Sequence, residues 1–374
     1  MLAHLFKIHL VCAARPNFVK VAPLYHSLRN CDWANPLIVH TGQHYDPAMS
    51  DAFFHDFQLP QPDFFLGVGS GTHAAQIGEV MVRYETLCVQ DPPDLVVVVG
   101  DVNSTLAAAL AAKKLNLSVA HLEAGLRSGD RSMPEEINRL ATDAISDFLW
   151  TPSVDADENL LREGQSKEKI SCVGNIMIDA LEMLRSRIVA EQQSRKIGLA
   201  PGSYGVITLH RPSNVDDKNR LKMILGFFRE ISRILTLVFP IHPRTRSRLK
   251  SAGLWDELAL IPNLHLLEPQ NYISFMSMVF DSRLVITDSG GVQEETTYLG
   301  IPCFTLRDNT ERPITILEGT NRLVKLDALA QEVRAELANP EIPKSPPRLW
   351  DGKASDRIVA QIRGLSALMP ASDT

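Results

Sequence analysis

Leu95-Val96-Val97-Val98-Val99 is apolar at five consecutive positions and is cut off at once by Gly100-Asp101. A strand with one wet face alternates apolar and polar residues, whereas a run apolar on both faces fits a parallel strand covered by helices on each side. Parallel neighbours need long crossovers, usually helical, and the chain supplies them between short apolar runs. The first set is Ile8–Cys12, Leu37–Val39, Leu95–Val99, Val119–Leu122, Phe148–Thr151 and Ile170–Val173. After Gly174-Asn175 the alternation begins again with Val206–Leu209, Leu237–Ile241, Leu264–Leu267, Leu284–Thr287, Cys303–Leu306 and Leu323–Val324. A chain of 374 residues suits two domains. The expectation is therefore an α/β architecture of two Rossmann-like, doubly wound domains, residues 1–173 and 174–353, with a hinge near 173–180. Pro340, Pro343, Pro346 and Pro347 suit an extended segment leading to a last helix over Ala354–Leu368.

Charge narrows the function classes. Lys and Arg number 38 against 44 Asp and Glu, a formal net charge of -6. That balance favours neither a nucleic-acid groove nor a membrane surface as partner. No apolar run approaches the ~20 residues that span a bilayer, and the start of the chain lacks the pattern of a signal peptide. Five scattered cysteines, with no CxxC pair, read as reduced thiols. A cytoplasmic protein is expected.

In open parallel sheets, ligands bind beyond the carboxyl ends of the strands, so the residues that follow each run carry the functional information. The first run leads into Ala13-Ala14-Arg15-Pro16-Asn17-Phe18-Val19-Lys20, a loop without glycine. GxGxxG is missing there, which argues against a nicotinamide cofactor. Arg15 and Lys20 at a helix start suit an anion; the plainer alternative is two surface cations. The third run ends in Gly100-Asp101-Val102-Asn103-Ser104, where Asn103 or Ser104 can cap the next helix and Asp101 points to the mouth of a cleft. The fourth ends in His121-Leu122-Glu123-Ala124-Gly125-Leu126-Arg127. Glu123, at a strand end with no helix to cap, is an acid/base candidate, or else the partner of Arg127. Ser132-Met133-Pro134-Glu135 has the spacing of a capping box, ahead of an apolar stripe of Ile137, Leu140, Ala141, Ala144, Ile145 and Phe148. Glu135 thus has a structural reading, with Arg139 one turn along as its possible partner.

In the second half, His210-Arg211 and His242-Pro243-Arg244 each follow a strand. Thr287-Asp288-Ser289-Gly290-Gly291 leads from strand to helix, and its two glycines let backbone N–H groups approach a phosphate. Glu295, one turn into that helix, can reach ribose hydroxyls. No metal motif such as HExxH and no G-x-S-x-G elbow occurs.

Together with Thr41-Gly42-Gln43-His44, Pro134-Glu135-Glu136-Ile137-Asn138-Arg139, Leu299-Gly300-Ile301-Pro302 and Glu311-Arg312-Pro313, these stretches resemble the non-hydrolysing UDP-N-acetylglucosamine 2-epimerases in collinear order over about residues 5–325. The resemblance implies a glycosyltransferase B-type fold, two domains facing across a cleft, with the last helix crossing back to the first domain. It implies Asp101, Glu123 and Glu135 as acid/base carboxylates assisted by His210. Arg15, Lys20, Ser289, Gly290 and Gly291 fall near the diphosphate, Glu295 at the ribose, and Arg139, Arg211 and Arg312 among the substrate-binding cations. A UDP-sugar is the implied partner, no cofactor is required, and a homodimer is the expected assembly. One departure stands out. Many members carry Gly-Thr-Arg-Pro-Glu where this chain has Ala13-Ala14-Arg15-Pro16-Asn17, which can mark a subfamily with another sugar. Leu66–Thr72 also lacks a cation that some bacterial members place there, in a site for activating substrate.

The implied reaction eliminates UDP to a 2-acetamidoglucal and adds it back with the proton on the other face of C2, giving UDP-N-acetylmannosamine. Acid/base groups on two faces suit several carboxylates. Competing expectations are the same chemistry on a UDP-2,3-diacetamido-glucuronate, a hydrolysing epimerase, a glycosyltransferase, and a non-catalytic UDP-sugar sensor.

Overall fold

A computed structural model describes residues 5–13, 15–42, 54–340 and 345–368. The chain divides into two units, Met1–Met183 with Arg348–Thr374, and Leu184–Pro347. The division falls inside helix Ile176–Glu191 rather than at Val173/Gly174. The reason is local: segment 174–183 is fastened to the end of the chain. Asp179 accepts hydrogen bonds from the N–H groups of Ala354 and Ser355 and from the Ser355 hydroxyl. A side chain on Gly174, at φ +91°, would collide with the Leu349 carbonyl.

The first unit is a seven-stranded sheet: β1 (Phe6–Cys12), β2 (Ala34–His40), β3 (Phe64–Phe65), β4 (Leu95–Val99), β5 (Ser118–Leu122), β6 (Phe148–Thr151) and β7 (Ile170–Cys172). Every pairing is parallel, in the order β3-β2-β1-β4-β5-β6-β7. The order reverses between β1 and β4, so the two chains leaving these strands part to opposite sides and open a crevice at their carboxyl ends. β4 is buried along its whole length. Val96 and Val98 pack on the alanines of α3 (Asn103–Lys114), whose small side chains let the helix lie close to the sheet. α1 (Arg15–Arg29), α2 (His73–Gln90) and α4 (Pro134–Ile145) are further helices of this unit. The helix Ala354–Leu368 belongs to it too: Gln361 accepts from the Trp150 indole at 2.8 Å, and Trp350 donates to the Pro152 carbonyl at 3.0 Å.

The second unit repeats the plan with β8 (Tyr204–Thr208), β9 (Thr236–Pro240), β10 (Leu264–Leu267), β11 (Leu284–Thr287), β12 (Cys303–Thr305) and β13 (Asn321–Leu323). Its order is β10-β9-β8-β11-β12-β13, again all parallel, with the reversal between β8 and β11. Its apolar core includes Ile207, Phe228, Phe239, Ile286 and Phe304. All twelve strands expected from the sequence are present. The two-residue β3 is additional; no alternation marks so short an edge strand.

Candidate functional site

Both candidate constellations lie where topology puts them, after the strands that flank each reversal. In the first unit these are β1 and β4, and the constellation also draws on β5, the outer neighbour of β4. Lys20, on α1, is 7% exposed and forms an ion pair with Glu123, just past β5. Glu123 is 5% exposed and takes φ +70°, a left-handed conformation unusual for a residue with a side chain. A Cβ on Gly100 would lie 3.3 Å from the Lys20 ammonium and 3.4 Å from Glu123 Oε2, so the bare glycine leaves this pair its space. Asn17 fixes the same turn. Its Oδ1 accepts the Ala13 N–H at 3.2 Å and its Nδ2 donates to the Val99 carbonyl at 2.9 Å. The Arg15 side chain, and Gln43 and His44, lie outside the described residues.

Asp101, about one-third exposed, is held by the guanidinium of Arg139 at 2.6 and 3.1 Å. Arg139 also pairs with Glu136 at 2.6 Å. Glu136 in turn accepts the N–H groups of Ser128 and Gly129 at 3.0 and 2.9 Å. Burial would raise the Glu136 carboxyl, but those donors and Arg139 hold it below the ordinary range.

Several sequence expectations change here. Glu135 is exposed at the first turn of α4, and Arg139 turns to Asp101 and Glu136 instead. The capping box does not form, because the Ser132 hydroxyl is taken by Asp130 at 2.6 Å and Met133 occupies the cap. Neither Asn103 nor Ser104 caps α3. Val102 stands at the cap, and Asn103 bonds with Gln76 and Asn138. Arg127 does not pair with Glu123; it binds Asp143 at 2.7 Å and Glu163 at 2.6 Å. Most unexpectedly, the buried face of α4 is polar: Glu136, Asn138, Arg139, Thr142 and Asp143 point inward, while Ile137 is 46% exposed.

In the second unit, Asp288 is wholly buried just past β11. It accepts the N–H groups of His210 and Arg211 at 3.1 and 2.9 Å and lies 3.2 Å from His210 Nδ1. It thereby fixes the loop that carries His210, whose side chain stays over one-third exposed. Arg211 Nε donates to the Asp288 carbonyl at 2.9 Å. Ser289 stands at the cap of helix Gly290–Leu299 without a side-chain cap bond, so its hydroxyl is not spent on the helix. Arg312 pairs with Glu311 at 2.6 Å and with Glu294 at 2.8 Å. A Cβ on Gly290 would come within 2.8 Å of both Arg312 and Glu311, which is why glycine stands there.

Arg307, two residues past the end of β12, was not foreseen. Its Nη2 binds Glu311 at 2.8 Å, while its buried Nη1 has no hydrogen-bond partner among the described residues. Burial and the Arg307 cation both lower the proton affinity of Arg211. Arg211, Arg307 and Arg312 gather around Glu311, with Arg312 also paired to Glu294, and the buried Arg307 Nη1 is a donor that an oxyanion can accept from. Glu295 is 3% exposed and accepts the Tyr272 hydroxyl at 2.7 Å. Burial pushes its carboxyl up to about 8, against the lowering effect of Tyr272 and with a further rise from Glu294. At neutral pH it is a neutral acid that can donate to a hydroxyl as well as accept.

Comparison with known proteins bears on what the two constellations serve. A sequence profile described as UDP-N-acetylglucosamine 2-epimerase matches residues 26–363. The UDP-N-acetylglucosamine 2-epimerase of Methanocaldococcus jannaschii is 43% identical over 364 residues, covering 94% of this chain and 98% of that one. The UDP-2,3-diacetamido-2,3-dideoxy-D-glucuronate 2-epimerase of Pseudomonas aeruginosa is 38% identical over 365 residues, covering 96% and 100%. A crystal structure of the Methanocaldococcus jannaschii enzyme in complex with UDP-GlcNAc and UDP superposes with a TM-score of 0.86 at 41% identity, over 96% of this chain and 99% of that one.

Proposed function

The chain belongs to the UDP-N-acetylglucosamine 2-epimerase family, and from that premise we propose that it interconverts UDP-N-acetylglucosamine and UDP-N-acetylmannosamine. The observation that carries the reading is Glu123: a buried carboxylate in a left-handed backbone, ion-paired to Lys20, at the carboxyl end of β5, next to a strand that flanks the reversal.

The C2–H bond of the sugar has no adjacent carbonyl, so it becomes acidic only as the C1–O bond to UDP breaks. A carboxylate takes the C2 proton, the C–H electron pair forms the C1=C2 double bond, and the C1–O pair leaves on the β-phosphate of UDP. In the return step a UDP oxygen attacks C1 and a second acid delivers a proton to the opposite face of C2. Hydrogen leaves and returns as a proton, so this route needs no redox cofactor. Glu123, Asp101 and Glu135 are the carboxylates assigned to these transfers, each worth typically ~10²–10⁴-fold. Arg211, Arg307, Arg312, His210 and the start of helix Gly290–Leu299 suit the charge growing on the leaving diphosphate. Lys20 adds a cation beside Glu123, and Glu295 suits the ribose.

The five cysteines are all free, which fits a reducing compartment such as the cytoplasm. A homodimer is the assembly to test by sedimentation.

Incubation with UDP-N-acetylglucosamine in D₂O is the test. The expected products are UDP-N-acetylmannosamine and deuterium at C2 without added nicotinamide. Glu123→Gln should abolish both while still binding UDP. A protein that leaves UDP-N-acetylglucosamine protiated at C2 but labels the diacetamido-glucuronate would transfer the same chemistry to the other sugar. Undiminished turnover in Glu123→Gln would remove Glu123 from the reaction.

A further inference from the structure

Asp143, on α4, has no part in the reaction just described, yet its carboxylate is 1% exposed and fully engaged. Oδ1 lies 2.6 Å from Nδ1 of His121, two residues before Glu123. Oδ2 accepts the N–H of Gly125 at 3.1 Å, two residues after Glu123, and pairs with Arg127 at 2.7 Å. Glu123, with its φ of +70°, therefore sits between two anchors on one carboxylate. Gly125 is itself confined, since a side chain there would collide with the Ala156 carbonyl.

The protons of this cluster follow from its partners. Asp143 receives the Arg127 guanidinium and the Gly125 N–H, and its partners outweigh burial to hold its carboxyl below the ordinary range. Nδ1 of His121 must then donate. Nε2 lies 2.8 Å from the Gly100 carbonyl, which can only accept, so it must donate as well. His121 is wholly buried with an acceptor facing each ring nitrogen. Its far side grips Gly100, the residue before Asp101. One buried chain of charge thus reaches the loop after β4 and both flanks of Glu123.

A buried ionic chain is a poor stabiliser compared with apolar packing of the same volume, so its placement calls for another reason. We propose that Asp143, acting through His121, is a positioning residue that holds the loops of Glu123 and Asp101 in the geometry proton transfer requires. The proposal rests on the role given above to Glu123. Without the Asp143 charge, the backbone at Glu123 can relax from its left-handed conformation and draw the carboxylate away from the sugar. Misplacement of about 1 Å is enough to cost on the order of 10²-fold in rate.

The experiment compares wild type with Asp143→Asn, His121→Gln and His121→Asn in the D₂O assay, alongside UDP affinity and Tm. Gln at 121 keeps a donor for the Gly100 carbonyl but releases Asp143; Asn at 121 does the reverse. Asp143→Asn should lower kcat on the order of 10²-fold with KM and UDP affinity little changed, and each His121 variant should lose part of that. In ¹⁵N-histidine spectra at neutral pH, His121 should show two protonated ring nitrogens in wild type and one in Asp143→Asn. Wild-type kcat in folded Asp143→Asn, or a neutral His121 ring in wild type, overturns the proposal. If Asp143→Asn does not fold, the His121 pair and the wild-type spectrum decide. A wild type that turns over no UDP-sugar would instead sink the functional reading, leaving the ring's charge state to be read on its own.

Discussion

Replacing Glu295 by Gln should stabilise the second unit, and increasingly so as pH rises. The folded protein holds this carboxyl at about 8 because ionising it would bury a charge, whereas its ordinary value is 4.5. A proton affinity raised in the folded state gives stability that is complete below about 4.5 and is lost as pH climbs through about 8. Each tenfold in affinity is worth about 1.4 kcal/mol, so the whole window amounts to on the order of 5 kcal/mol, and the span from pH 5 to pH 8 to about 4. Gln does not titrate, and it can keep the acceptor that Tyr272 meets at 2.7 Å. For a unit of this size, about 4 kcal/mol corresponds to a Tm difference on the order of 10 °C. Thermal unfolding of both proteins at pH 5, 6.5 and 8, followed through the transition of the second unit, reads this directly. The variant's advantage should widen with pH and level off beyond about 8. Parallel Tm curves would mean that Glu295 is already ionised in the folded protein, and the argument from burial would fail.

Three further outcomes test local structure in the first unit. Asn17→Asp sets a carboxylate oxygen against the Val99 carbonyl where Nδ2 now donates at 2.9 Å; chemical denaturation at pH 7.5 should show a loss of about 1–3 kcal/mol. Glu136→Gln loses the charge on which Arg139 and two backbone N–H groups converge and should cost about 1–3 kcal/mol, while Glu135→Gln, at an exposed position, should leave Tm unchanged whatever it does to turnover.

The plan of the molecule was legible because it rests on a pattern that few other folds tolerate. Leu95–Val99 fits a covered parallel strand, and the twelve apolar runs located both sheets. The rule that function gathers past strand ends then singled out Lys20, Asp101, Glu123 and His210, while Asp288 passed as one letter of a glycine-rich turn. What failed was pairing. Sequence neighbours suggested Glu123 with Arg127 and Glu135 with Arg139, but the partners are Lys20, Asp143, Asp101 and Glu136. Local spacing does not encode which strand end lies beside which; strand order does, and β1 meets β4 only through a reversal. Arg307 escaped notice because nothing in Leu306-Arg307-Asp308 separates a buried guanidinium from a surface one.

α4 gives the sharpest case of a signal that was present and misread. Its apolar residues recur at helical spacing, and that stripe suggested the face turned to the core. Glu136, Arg139 and Asp143 recur at the same spacing, three and four residues apart, and this is the face that is buried. An amphipathic helix reports two faces, and period alone does not say which one meets the protein. Burying the polar face is the costlier choice, since each charge must find a partner, and here each does: Glu136 and Asp101 on Arg139, Arg127 and His121 on Asp143. A helix folded that way around is set by what lies beneath it. Beneath α4 are the carboxyl ends of β4 and β5, where an apolar face would have left Asp101 without Arg139 and the backbone on either side of Glu123 without Asp143.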